Sequence, residues 1–288
     1  MRLALGGAQL GMQYGIANAS NEMSMDNVRD ILNAAKNYKI DTIDTAIGYG
    51  NSEKYIGDSD ILGFKIITKL PAVPKEKILD REWVSKQIDG SLSRLRISNL
   101  YGVMLHEPNQ LINLNGEIIW NQLQMLKEDG VVSKVGYSIG NVLSLNNLLP
   151  KYIPDIIQVP FNVLDQRLLN SGWLKRLKDM GVEVHVRSIF LQGLLLMSMS
   201  KRPAKFNRWA NTWKNWDEFL KINEISAHEA CVNFALSKSG IDRVVVGVDS
   251  VKQLDDLLLA QKSKIIDFSQ ILPVDDLYLI DPSKWELL

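Results

Sequence analysis

A chain of 288 residues, 46% of them hydrophobic, can bury one large core, and a closed barrel of eight βα units takes about 250 residues as a single domain. Basic side chains number 33 and acidic ones 33, so the net charge is zero, which argues against electrostatic binding to nucleic acid or an anionic membrane. Cys231 is the one cysteine; it excludes an intramolecular disulfide and, on an apolar helix face, suits a buried thiol in a reducing compartment.

The opening MRLALGGAQLGMQYG has a short apolar run, but Gly6, Gly7 and Gln9 interrupt it too early for a secretory signal. No uncharged apolar stretch approaches the ~20 residues needed to cross a bilayer. A soluble cytoplasmic protein is expected. Leu3 to Ala8 reads as a strand that stops at Gly11, and Ser24 precedes Val28, Ile31, Leu32 and Ala35 at helical spacing. A second strand carries Ile40, Thr42 and Ile43 to Asp44, where Gly48 and Gly50 flank Tyr49 and Ser52 offers a cap for the next helix. Ile66 to Leu70 is a third strand, followed by a helix from Arg81 with Val84, Ile88, Leu92 and Leu95 on one face. Tyr101 to His106 is the fourth. Ile119, Leu123 and Leu126 then form a helical stripe that Gly130 ends as a C′ glycine.

Lys134 to Ile139 and Ile156 to Asn162 read as strands five and six, and a helix from Gln166 carries Leu169, Trp173, Leu174 and Leu177 as far as Gly181. Val182 to Phe190 is the seventh strand and Arg243 to Val248 the eighth. Ser226 with Glu229 is a capping box, and Ser250 with Gln253 repeats it before Leu254, Leu257 and Leu258. Eight strands alternating with helices, without a linker or low-complexity tract, predict one closed parallel barrel over residues 1–288. The seventh connection is extended: Phe206, Trp209, Trp213, Trp216 and Leu220 make an apolar stripe at helical spacing ahead of the helix at Ser226. That segment is either a lid over the cofactor loop or a packing element.

The active site of such a barrel lies at the C-terminal ends of its strands. Asp44, Lys69 and His106 end three successive strands, and Tyr49 leans in from the loop above Asp44. A phenol with a pKa of about 10 donates a proton poorly at neutral pH unless a cation stabilises its phenolate. Lys69 would supply that cation, Asp44 would hold it charged, and an imidazole could orient a carbonyl. The set suits protonation of a developing alkoxide, worth roughly 10²- to 10⁴-fold as general-acid catalysis. Each residue alone has a structural explanation; together they point to chemistry.

These stretches resemble the aldo-keto reductases, from GGAQLG near the start to GVDSVKQLDDL near the end. DTIDTAIGYGNSEKYIG matches the family signature, with Asp44 and Tyr49 in the first two tetrad positions; ITKL supplies Lys69 and MLHEP supplies His106. The resemblance implies NAD(P)H-dependent reduction of an aldehyde or ketone on a (β/α)₈ TIM barrel, with the cofactor extended and no Rossmann fingerprint. Gly7, Ala8, Gln9 and Asp44 would line the cofactor, and Ser138 and Gln158 would grip the nicotinamide carboxamide. Leu191, Gln192, Gly193 and Leu194 match the loop near the pyrophosphate, while Gly247, Ser250, Lys252 and Gln253 match the phosphate-facing helix N-terminus. Ile139 stands where the family commonly has Asn, Arg187 where an aromatic often stacks on nicotinamide, and Asp249 where many members carry an Arg for the 2′-phosphate. NADP(H) is expected ahead of NAD(H) by a small margin, since Lys252 and Ser250 remain.

Other residues take plainer readings. His185, mid-strand, and His228, in a helix's first turn, are assigned no chemistry, and Asp155, Asp165 and Glu107 lack the His or Cys spacing of a metal site. Gly6, Gly7 and Gly11 fit a tight turn, and Lys201 to Arg208 a solvated loop. Met12, Gln13, Tyr14, Ile47 and Asn109 are candidate pocket walls for a small carbonyl substrate, sugar-like or aliphatic. Monomer and homo-oligomer stay open. Two other classes also remain: a non-catalytic nicotinamide-binding regulator on the same barrel, which need not keep all four tetrad groups, and a phosphosugar isomerase or aldolase, against which the missing phosphate-site glycine pattern weighs.

Overall fold

The computed structural model describes residues 1–15, 23–74, 82–112, 116–261 and 266–288. Eight parallel strands close on themselves in sequence order, with β1 pairing both β2 and β8. They are β1 (Leu3–Gly6), β2 (Thr42–Asp44), β3 (Lys65–Leu70), β4 (Leu100–Leu105), β5 (Val132–Ser138), β6 (Ile156–Pro160), β7 (Glu183–Arg187) and β8 (Arg243–Val246). Around them run α1 (Ala8–Gly11), α2 (Met25–Asn37), α3 (Ser52–Gly57), α4 (Trp83–Leu95), α5 (Gly116–Glu128), α6 (Leu145–Leu148), α7 (Arg167–Asn170), α8 (Trp173–Asp179), α9 (Ala210–Asn223), α10 (Ala227–Leu236), α11 (Val251–Ala260) and α12 (Leu277–Ile280). The (β/α)₈ barrel expected from the alternation is the fold observed.

Two cores follow from the two faces of each strand. One large apolar layer lies between barrel and helices and includes Val28, Ile31, Leu32 and Ala35 of α2. A second, separate cluster joins Ile67, Met104 and Ile156 under Tyr101. Since β6 does not neighbour β3, these residues meet across the barrel axis. His185 packs nearer the N-terminal mouth, fully buried, with its Nε2 2.7 Å from Glu183 Oε1. Burial opposes the Glu183 charge, but hydrogen bonds involving His185, Lys134 and Tyr101 overcome it and hold the carboxyl well below its usual range. His185 is thus a buried barrel-floor residue paired with Glu183.

Several boundaries differ from the sequence expectation. Gly6 is the last residue of β1, paired with Asp44, and Ala8–Gly11 is a helical turn rather than more strand. The helix expected from Gln166 breaks at Gly172, whose φ of +75° is a left-handed conformation, so α7 and α8 are separate pieces. α4 begins at Trp83; its expected start at Arg81 lies outside the described residues. The capping box at Ser226 and Glu229 forms in full. At α11 Ser250 Oγ accepts from Gln253 N–H, but Gln253 Oε1 accepts from Asp249 N–H, one residue before the cap.

The tryptophan stripe packs. Phe206, Trp209, Trp213 and Trp216 are buried, and each indole N–H has an internal acceptor: Trp209 with Asp276 (3.1 Å), Trp213 with Phe206 O (2.9 Å) and Trp216 with Leu195 O (3.0 Å). Arg202 of the expected solvated run instead lies buried, its guanidinium on the Trp213 ring and forked onto Asp217. Opening this segment would strand these polar groups. A variant retaining only these three tryptophans should therefore keep its emission spectrum on saturation with NADPH or non-absorbing NADP⁺, once energy transfer is corrected; a spectral shift with both forms would restore the lid reading.

Candidate active site

The loop after β2 is pressed against the first turn. Asn51 N–H donates to Gly11 O (3.1 Å), and a Cβ at Gly50 would lie 2.3 Å from that oxygen. At Gly11 itself a Cβ would meet Ser52 N at 2.0 Å, so both positions need glycine for the approach. Thr45 and Ser52 share a hydroxyl hydrogen bond of 2.9 Å, while buried Glu53 accepts from Thr68 Oγ1 and Arg94 Nε. Tyr49 is held at the tip of this braced loop.

Lys69 ends its strand wholly buried, with Nζ 2.6 Å from Asp44 Oδ2 and 3.0 Å from Thr45 O. Burial alone would discharge the amine, but the Asp44 carboxylate outweighs it and raises the Lys69 pKa. The same ammonium lies 5.0 Å from the Tyr49 ring centroid, and the His106 imidazole meets that ring edge-on at 5.6 Å. Burial, then the positive charges of Lys69 and Arg187, lower the His106 pKa to about 4. At neutral pH the imidazole is therefore uncharged and can donate from only one nitrogen. Gln158 Nε2 completes the cluster by donating to Asp44 Oδ1 at 2.8 Å. A phenol, a neutral imidazole and a buried ammonium–carboxylate pair converge, an arrangement able to donate a proton to an oxygen placed between phenol and imidazole.

A groove of about 350 Å³ runs from Asp44 and Tyr49 to α11. It is lined by Gly7, Ala8, Gln9, Gln158, Arg187, Gln192, Gly193, Gly247 and Gln253 from the expected cofactor set. Ser138 stands behind Gln158, its hydroxyl 3.5 Å from Oε1. Leu191 and Leu194 are fully buried and shape the turn from beneath. Ser250 caps α11. Lys252 lies outside the groove lining and reaches along α11 to Asp256, 2.9 Å away. The backbone of the groove wall is unusual too. Ser188, Leu191 and Gln192 have φ of +61°, +49° and +52°, three of the six non-glycine residues with positive φ among those described. Such clustered left-handed residues mark a loop whose shape is fixed against local preference.

Tyr14, expected as a pocket wall, lies in the groove, and so do two residues to which the sequence gave no role in it, His228 and Asp256. His228 packs against Phe190, ring centroids 5.6 Å apart, and burial lowers its pKa. Its place at the second turn-forming position after a capped Ser226, facing the loop after β7, was the available signal. Among the described residues no group of three or more His, Cys, Asp or Glu could hold a metal ion, and no helix is long and apolar enough to cross a membrane.

The sequence model of the aldo/keto reductase family matches residues 2–276, almost the whole chain. The chain belongs to the aldo/keto reductase family. Among solved structures, an aldo-keto reductase from Bacillus halodurans in its holo form is similar with a TM-score of 0.76 and 19% identity, covering 96% of this chain and 94% of that one. A putative aldo-keto reductase from Pseudomonas aeruginosa is similar at a TM-score of 0.66 and 18% identity, over 90% of this chain and 89% of that one. At such identities the likeness is one of fold. A search of curated proteins found no match. Family membership makes the chain an oxidoreductase of a group that uses nicotinamide cofactors and small carbonyl compounds.

Proposed function

We propose that this aldo/keto reductase reduces an aldehyde or ketone to an alcohol with NAD(P)H, and that Tyr49 is the general acid. The observation that carries the reading is the Asp44–Lys69 pair, 2.6 Å and buried, directly beneath the Tyr49 ring. The groove residues fit an extended dinucleotide: Gln9, Gln192 and Gln253 offer amides along it, and Gly247 leaves room for the Gln9 side chain. When bound there, the cofactor supplies the hydride. Tyr49 gives its phenolic proton to the oxygen that becomes an alkoxide, Lys69 stabilises the phenolate left behind, and Asp44 keeps Lys69 charged. His106, neutral, donates a hydrogen bond that orients the carbonyl oxygen. Wild-type protein should oxidise NADH or NADPH, seen as loss of nicotinamide absorbance, across a carbonyl panel; no loss with any aldehyde or ketone would sink the reading.

Cofactor choice turns on the far end of the groove. Asp249 and Asp256 line it and Lys252 does not, which supports a reading in which NAD(H) is preferred, in place of the small NADP(H) margin expected from the sequence. A 2′-phosphate dianion near two carboxylates is repelled, whereas a ribose diol can donate to them. Pairing of Asp256 with exposed Lys252 and solvent screening keep the effect modest. NADH should bind about tenfold more tightly than NADPH, that factor corresponding to about 1.4 kcal/mol. Equal or tighter binding of NADPH, measured as dissociation constants, would refute the assignment.

A further inference from the structure

Arg187 is a charge in the catalytic pocket that the proposed chemistry does not use. It ends β7 and lines the groove beside Asp44, Tyr49 and Gln158. Its Nη2 donates to Ile139 O (3.3 Å) and its Nη1 to Ser188 Oγ (3.2 Å), both neutral acceptors. It makes no ion pair among the described residues. Arg167, Arg202 and Arg243, also partly or wholly buried, do: they meet Asp165, Asp217 and Asp41, whereas Arg2 spreads its guanidinium over the backbone carbonyls of Leu236, Lys238 and Ile241. Half-burying a guanidinium with neither a counter-ion nor a full set of acceptors is costly, and such a group in a cleft is a candidate for ligand binding; Arg187, unlike Arg2, has only two neutral acceptors and faces the groove.

The cluster around it is correspondingly positive. Lys69 is neutralised by Asp44, and His106 is held uncharged in part by Arg187 itself. That leaves one net positive charge beside the point where the carbonyl would sit. Tyr14, a phenol in electrostatic reach of Arg187 and Tyr49 alike and hydrogen-bonded to Gln192, adds a neutral donor on the same wall.

A cofactor phosphate is the first alternative source of the counter-charge. The left-handed turn at Gln192 and Gly193 and the capped N-terminus of α11, both matching the family's phosphate-side stretches, are the alternative places for it. Arg187 is instead tied by Ile139 O to the end of β5, on the Gln158 side. A guanidinium can also lie flat against an aromatic ring and still present its edge N–H groups, so contact with nicotinamide would not consume its hydrogen bonds.

We propose that Arg187 binds a carboxylate carried by the substrate, so that the enzyme's substrates are oxo acids, with the carboxylate a few bonds from the reacting carbonyl. The proposal rests on the carbonyl-reduction reading above. A carboxylate matches a single free cation better than a phosphate dianion does, since no second unpaired cation lines the groove among the described residues. The reaction balances as for any carbonyl: hydride to carbon, the Tyr49 proton to oxygen, the carboxylate unchanged, and a hydroxy acid released.

The test compares 4-oxobutanoate with its methyl ester and amide, which keep the aldehyde and remove the charge. In wild-type protein kcat/KM for the acid should exceed that for the ester by about 10- to 100-fold, the range of a charge-assisted hydrogen bond. Arg187→Met should bring the ratio to about one and Arg187→Lys should retain part of it; because the ratio is taken within each variant, altered cofactor binding cancels. Calorimetry on cofactor-saturated protein gives a readout without turnover. Succinate should bind in preference to succinamide in wild-type protein and lose that preference in Arg187→Met, with far-UV circular dichroism confirming that the variant is folded. Reduction of the ester as efficiently as the acid overturns the proposal while leaving the reductase reading intact. So does a ratio that survives Arg187→Met, or inorganic phosphate binding more tightly than succinate. Succinate binding through Arg187 with no aldehyde reduced would uphold the carboxylate site and sink only the reductase reading.

Discussion

Tyr49→Phe is expected to lower kcat by roughly 10²- to 10⁴-fold, the usual contribution of a positioned general acid, with the dissociation constant of the cofactor unchanged. The substitution removes one oxygen and keeps the ring. The contacts that hold the ring, edge-on to His106 at 5.6 Å and 5.0 Å from the Lys69 ammonium, depend on the aromatic face and survive. The loop itself is fastened by backbone and hydroxyl bonds at Gly11, Thr45 and Ser52 that do not involve the phenol oxygen. A thermal midpoint within a degree or two of wild type should therefore accompany the lost rate. If Tyr49→Phe turned over its best carbonyl at the wild-type rate, the proton would have to come from elsewhere, and His106 could not supply it at neutral pH because it carries none to spare.

Much of this was legible before any coordinates, and the reason is physical. Parallel strands buried on both faces appear as short apolar runs, and each surrounding helix shows a 3.6-residue stripe, so the alternation that defines the barrel is written in composition. Asp44, Lys69 and His106 stand out together: one polar residue at a strand end has a structural explanation, but three at the ends of successive strands, with Tyr49 beside them, point to a shared site. What stayed hidden depends on direction around an axis. Asp249, Gln253, Asp256 and Leu257 line the groove, while Lys252, about 100° around the helix from Gln253 and one turn before Asp256, does not. Sequence position singled out Lys252 and left Asp256 unnoticed. Arg202 was read as solvated because its partners, Trp213 and Asp217, lie on a helix whose docking no local pattern specifies. The break at Gly172 escaped notice for a related reason: the apolar stripe continues through it, and only the left-handed glycine divides the helix.

Lys69→Met should be the most damaging single change, costing about 3–5 kcal/mol of stability as well as activity, because it leaves a buried carboxylate without its cation. Asp44 is 3% exposed, and after the substitution only the Gln158 amide among its present side-chain donors remains. The pH dependence has a definite sign. Burial disfavours the Lys69 charge but Asp44 overcomes it, so the folded pKa is raised above the ordinary value of 10.5. The pair's contribution is thus fully present below that value and lost only as pH rises through the folded pKa; wild type and variant should differ by the same amount from pH 7 to 9. Adding Asp44→Asn to Lys69→Met removes the stranded charge and should recover much of the stability, since an uncharged replacement of a buried pair is often close to neutral. It should recover no activity, because nothing then stabilises a Tyr49 phenolate. Chemical denaturation and single-turnover rates on the same three proteins separate the two effects. Activity returning together with stability in the double variant would mean that the pair merely braces the loop, and the proton-donor assignment would lose its physical basis.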